Sequence, residues 1–114
     1  MSLQFADKLR IAQQIEKIIL RIRDEGSRSD ELIEAKASAC SLYDCELAKH
    51  TVILRDDGVP ATLIPAQAKG KVSDLLLTKI LAEEKLKAHF KRLEYLQSQL
   101  TGYQSINKYF DAID

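Results

Sequence analysis

The chain has 114 residues, of which 46% are apolar, with seventeen basic and seventeen acidic side chains, four glycines, two prolines and no tryptophan. Balanced charge provides no overall field to draw it onto nucleic acid or membrane, and so few turn formers leave little material for a turn-rich β fold. The absence of any eighteen-residue apolar run, of a signal-peptide start and of a bridgeable cysteine pair excludes a membrane span and points to a reducing cytoplasm.

Helix formers dominate, so the expected class is all-α. The first helix is expected over residues 3–25. Phe5, Ala12, Ile15, Ile19 and Ile22 form its apolar stripe, widened by Ile11 and Ile18, and Gly26 is the natural stop. After the turn Ser27-Arg28, Ser29 offers a hydroxyl to cap a second helix over 29–55, and Asp30 and Glu31 suit its positive end. The stripe of that helix is Leu32, Ala35, Ala39, Tyr43, Leu47, His50 and Leu54. Residues 29–57 carry three bases against seven acids, while 71–101 carry six against four, so neighbouring helices of opposite sign attract modestly.

Asp56-Asp57-Gly58-Val59-Pro60 breaks the second helix, because Asp-Gly supplies turn chemistry and proline holds Val59 extended. Thr62 is placed to cap a short segment over 63–69, with Pro65 tolerated in its first turn. Gly70 either ends that segment or sits at a bend leading into the next helix; the residues allow both. A long helix is then expected over 72–101, ending at Gly102. Its stripe reads Leu75, Lys79, Ala82, Leu86, Phe90, Leu93, Gln97 and Leu100. A tail or short helix over 103–110, carrying Tyr103, Ile106, Tyr109 and Phe110, closes the chain. The architecture read from these elements is a single domain, 1–114. It is an elongated three-helix bundle with long antiparallel helices and a short helical segment in the second connection.

Chemistry-bearing patterns are few. Cys40, Cys45 and His50 are spaced by five, which turns successive ligands about 140° apart on a helix, so they do not gather round a metal. Asp56-Asp57-Gly58 lacks the alternating oxygen ligands of a calcium loop, and Ala68-Lys69-Gly70-Lys71 lacks the spaced glycines of a phosphate loop. Glu83 and Glu84 are adjacent and face apart on a helix, and no serine–histidine–acid order stands out. No catalytic, cofactor-binding or metal residue is assigned. Lys85, Lys87, Lys91 and Arg92 are the candidate contacts for single-stranded nucleic acid. Val72, Leu76, Leu77, Ile80 and Leu81 lie off the core stripe and make the first half of the long helix apolar nearly all round, so they are the candidates for self-association.

Two stretches carry a resemblance: Asp56-Asp57-Gly58-Val59-Pro60-Ala61-Thr62-Leu63-Ile64 continuing to Ala68-Lys69-Gly70, and Gly102-Tyr103-Gln104-Ser105-Ile106-Asn107. With the helix between them, over about residues 43–110, the chain resembles small helical proteins encoded by phages and prophages. The resemblance implies a mobile-element protein that neighbours recombination and single-strand-annealing functions. It carries over no catalytic residue. The surplus apolar face of the long helix, together with the lack of catalytic patterns, points to a non-enzymatic interaction or oligomerisation protein. A homo-oligomer, with a further protein partner unspecified, is therefore expected. An accessory single-stranded nucleic-acid-binding protein is the alternative, and a small enzyme with an inter-subunit site is the second.

Overall fold

The computed structural model describes residues 2–113. It contains four helices: α1 (Ser2–Gly26), α2 (Ser29–Asp56), α3 (Ile64–Lys71) and α4 (Ser73–Ile113), and no strand among the described residues. The class is all-α, three long helices with one short helix in the second connection. No helix among these residues is long and apolar enough to cross a membrane.

The end of α2 follows from local chemistry. Gly58, at φ +80°, is the left-handed residue just past the helix. Its N–H donates to the Arg55 carbonyl at 3.1 Å, and the Val59 N–H reaches back to the Leu54 carbonyl at 3.1 Å. These paired bonds satisfy carbonyls that the helix end would otherwise leave without donors. The accompanying apolar contact is present too: Val59 packs on the cluster of Leu54, Ile64 and Ala68, with Leu47 beside it.

Helix α3 starts differently from the expected cap. Leu63, in helical conformation, occupies the position before the helix, with no side-chain cap bond. Thr62 belongs instead to a turn in which the Leu63 N–H donates to the Pro60 carbonyl at 2.9 Å, and this turn winds directly into α3. Pro65 sits in the first turn as expected. Gly70 lies within α3, and the break before α4 is the single residue Val72, at φ −113° and ψ 21°. Val72 is 2% exposed, and its carbonyl accepts from the Leu76 N–H at 3.0 Å.

Gly102 does not end the long helix. Helix α4 runs through it to Ile113, so the expected separate segment 103–110 is part of α4. A glycine stops a helix by turning left-handed, and among the described residues only Gly58 does so. Within a helix a lone glycine costs only about 1 kcal/mol, less than the turns on both sides supply together.

The chain divides into two compact units, one formed by residues up to Ser29 with those from Ala88 onward, the other by Asp30–Lys87. In the first, α1 runs antiparallel to the later part of α4. Lys8 pairs with Asp111 at 3.9 Å, Ile19 and Ile22 line a groove with Gln97, Leu100 and Thr101, and Glu25 bonds His89 and Arg92. In the second, α2 and the earlier part of α4 are likewise antiparallel. Leu32, Ala35 and Ala39 line a groove with Thr78, Leu81, Ala82 and Lys85, and the Lys79 ammonium lies 4.7 Å from the Tyr43 ring centroid.

The covered positions obey a heptad. From Val72 at the break along α4 they run Leu75, Lys79, Ala82 and Leu86, then His89, Leu93, Leu96, Leu100, Tyr103, Asn107 and Phe110. All are buried or half-buried in steps of three and four, with Leu76, Glu83 and Gln99 half-buried beside that line. On α1 the same steps pick out Lys8, Ile11, Ile15, Ile18, Ile22 and Glu25, and on α2 Ser29, Leu32, Lys36, Ala39, Tyr43, Glu46 and His50, after which the buried Leu54 leaves the repeat. This is the repeat of a two-helix seam. It corrects all three expected stripes: on α2, Ala35 is exposed and Lys36 takes the seam. On α4, Phe90 is 44% exposed and Gln97 is exposed, while His89 and Leu96 turn inward. On α1, Phe5 and Ile19 are exposed, with Ala12, and Ile11 and Ile18 take the seam. A period of 3.5 accounts for the α4 shift, because the expected steps from Ala82 to Leu86 to Phe90 were two successive fours. The α1 stripe already kept heptad spacing and lies one residue off the covered line at Ala12 and Ile19.

Candidate functional site

One side chain among the described residues is both polar and fully buried: His89, at 0% exposure. It occupies a seam position on α4, one turn beyond Leu86 and one before Leu93. The later residues of α1 and the first residue of α2 close over it. Its Nδ1 lies 2.9 Å from Glu25 Oε1, and its Nε2 lies 2.7 Å from Ser29 Oγ. Arg92, one turn along α4, donates from Nε to the same carboxylate oxygen at 2.7 Å. Arg28 stands 3.8 Å from Glu25 Oε2. The hydroxyl that the sequence offers as a cap for α2 is thus turned to the imidazole.

The cluster is electrostatically consistent. A carboxylate only accepts hydrogen bonds, and Glu25 accepts two. The Arg92 guanidinium first, and the His89 ring next, hold the Glu25 carboxyl below its ordinary value of 4.5, with partial burial opposing them. No buried side-chain nitrogen or oxygen among the described residues lacks a partner. That matters because one ring nitrogen of a buried imidazole left without a partner costs about 1–3 kcal/mol.

Carboxylate, imidazole and hydroxyl in this order are the parts that activate a serine nucleophile. The surroundings here serve another use. The imidazole is covered completely, and Arg92 shares the oxygen that orients the ring. The arrangement acts as a polar layer in the seam. It joins residues sixty or more apart in the chain, which is why no serine–histidine–acid order is visible in the sequence. The accessible signal was the heptad count, which puts His89 rather than Phe90 at a covered position.

The expected site residues fall in different places. Val72 is buried at the α3–α4 break and belongs to the interior of its unit, and Leu76 is half-buried. Leu77, Ile80 and Leu81 are 59%, 46% and 50% exposed. Of the candidate nucleic-acid contacts, Lys85 lines the groove of about 240 Å³ with Leu32, Ala35 and Ala39, and Lys87 pairs with Glu84 at 3.5 Å. Lys91 is exposed, and Arg92 is held by Glu25. Lys85 and Lys87 belong to one unit, Lys91 and Arg92 to the other. Cys40 and Cys45 are free thiols, half-buried and exposed, and His50 is half-buried. No three His, Cys, Asp or Glu among the described residues gather as metal ligands.

No protein-family model matches the chain, and no curated protein or solved structure compared with it does either.

Proposed function

We propose that this is a non-enzymatic helical protein that acts by self-association, with the outer face of α4 as its contact surface. The observation that supports this reading is the exposure of Leu77, Ile80 and Leu81, three large apolar side chains within five residues of one helix. They lie outside the heptad seam, and only Leu81 also lines the groove shared with α2. Contiguous exposed apolar surface of this kind marks interaction sites. Ala35, Ala39 and Ala82 line the neighbouring groove, and small side chains there leave the holes that a leucine or isoleucine knob from another helix fills. A two-fold partner presents the same patch and holes in return. The mobile-element origin implied by the resemblance is part of the same proposal.

The nucleic-acid alternative is the weaker reading, since Lys87 and Arg92 already face carboxylates. Sedimentation of the intact chain tests the choice. A dimer or larger species is expected at micromolar concentration, and Leu77→Asp with Ile80→Asp is expected to give a monomer of unchanged helix content. A wild-type chain that sediments as a monomer throughout that range rules the proposal out.

A further inference from the structure

We propose that His89 is the pin of a latch that fastens the α1–α2 turn to α4, and that it does so as the Nδ1–H tautomer. The two residues it holds flank the turn on either side. Glu25 is in the last turn of α1, and Ser29 is the first residue of α2. Between them the chain is locally weak. Gly26 and Ser27 are poor helix residues, and the Ser27 hydroxyl donates to the Asp24 carbonyl at 2.6 Å, competing with the helical ladder. Backbone bonds from Ser27 to Arg23 and from Arg28 to Glu25 carry the chain through the turn. The heptad steps run from Glu25 to Ser29 without a change of phase, so both residues meet α4 on the same line of the seam, at His89.

The tautomer follows from donor counting. Glu25 is kept ionised by Arg92 and can only accept, so the proton on Nδ1 is the one donated to it. Whenever the ring is neutral, Nε2 is therefore bare, and the Ser29 hydroxyl at 2.7 Å donates to that nitrogen. Both ends of the turn are thereby fixed by directional bonds, where an apolar side chain at position 89 would let either end move. Free histidine in water prefers the opposite tautomer, so the assignment discriminates between an engaged and a disengaged ring.

Two measurements on the full-length chain test the latch. Long-range proton–nitrogen correlation spectra of the neutral ring are expected to show Nδ1 protonated and Nε2 unprotonated in wild type and in Ser29→Ala, where Glu25 still orders the ring. Amide hydrogen exchange is expected to quicken at least tenfold (on the order of a decade) at residues 27–30 in His89→Leu, a variant that keeps the seam filled. Amides around Leu54, in the other unit, should keep their wild-type rates. An Nε2–H ring in the wild-type chain overturns the proposal. So does turn protection that is equal in wild type and His89→Leu. The spectrum needs no variant, so a His89→Leu chain that fails to fold leaves a decisive measurement in hand.

Discussion

The unit containing α1 buries an imidazole between a carboxylate and a hydroxyl, whereas the unit containing α3 closes over Leu54, Ile64 and Ala68, with Leu47 and Val59 against them. The two solutions answer different problems. Where α3 folds back, the chain supplies a left-handed glycine, a proline and a buried valine within fifteen residues, so local geometry already limits the options. An apolar cluster then only has to exclude water. Where α1 passes into α2, the break is two residues long and has no special backbone conformation. There the tertiary contact itself supplies the direction, through bonds that tolerate little displacement.

Truncation should expose this difference most strongly in the apolar unit. Leu54→Ala removes most of a side chain that is 8% exposed and is expected to cost about 2–5 kcal/mol in urea unfolding, with α3 amides losing protection first. A loss below about 1 kcal/mol would mean that α3 adds little to the stability of its unit. Ser29→Ala comes next. It leaves Nε2 of a buried ring without its donor, for an expected loss of about 1–3 kcal/mol. An unchanged unfolding midpoint would show that the ring finds another partner.

The polar unit should also respond to acid. Arg92 and then His89 lower the folded-state value of Glu25, with Arg28 contributing at longer range. Ionised Glu25 therefore adds stability that is fully present above its unfolded value, about 4.3. That stability is lost as pH falls through the lower folded value. The difference in unfolding free energy between wild type and Glu25→Gln should shrink across that acid window and be constant at neutral pH. A difference that grew on acidification would reverse the assigned sign. The smallest expected effect is a gain. Gly102 is helical and has nothing within 4 Å of where a Cβ would stand, so Gly102→Ala should stabilise the chain by about 0.5–1 kcal/mol. Destabilisation by that substitution would restore Gly102 as a bend.

Much of the candidate surface was legible from residues 72–81, because a helix with leucine and isoleucine on faces that cannot all point inward announces surplus apolar area. The sequence placed Leu77, Ile80 and Leu81 there, and they are exposed. Val72 was grouped with them and is buried, because α3 ends at Lys71 and folds its own turn against that residue. Of the polar layer only the covered place of His89 was legible, from the heptad count, since Glu25 and His89 are 64 residues apart and neither sits in a motif.

By itself the sequence determined the helical class, the break after Asp56, the short segment around Pro65 and three long helices, because propensity, glycine chirality and proline geometry act within a few residues. Only the tertiary structure decided which line of each helix turns inward. An isolated α-helix drifts about 20° per heptad relative to a repeat of 3.5, so apolarity alone favours Phe90 over His89 and leaves Ile18 and Ile19 undecided. A second helix lying alongside imposes the shorter period, and with it the positions that are covered. At position 89 the carboxylate of Glu25 and the hydroxyl of Ser29 make the buried histidine acceptable. Gly102 was settled the same way: its local signal reads as a stop, but the seam continues to Tyr103, Asn107 and Phe110 against α1 and carries the helix through it.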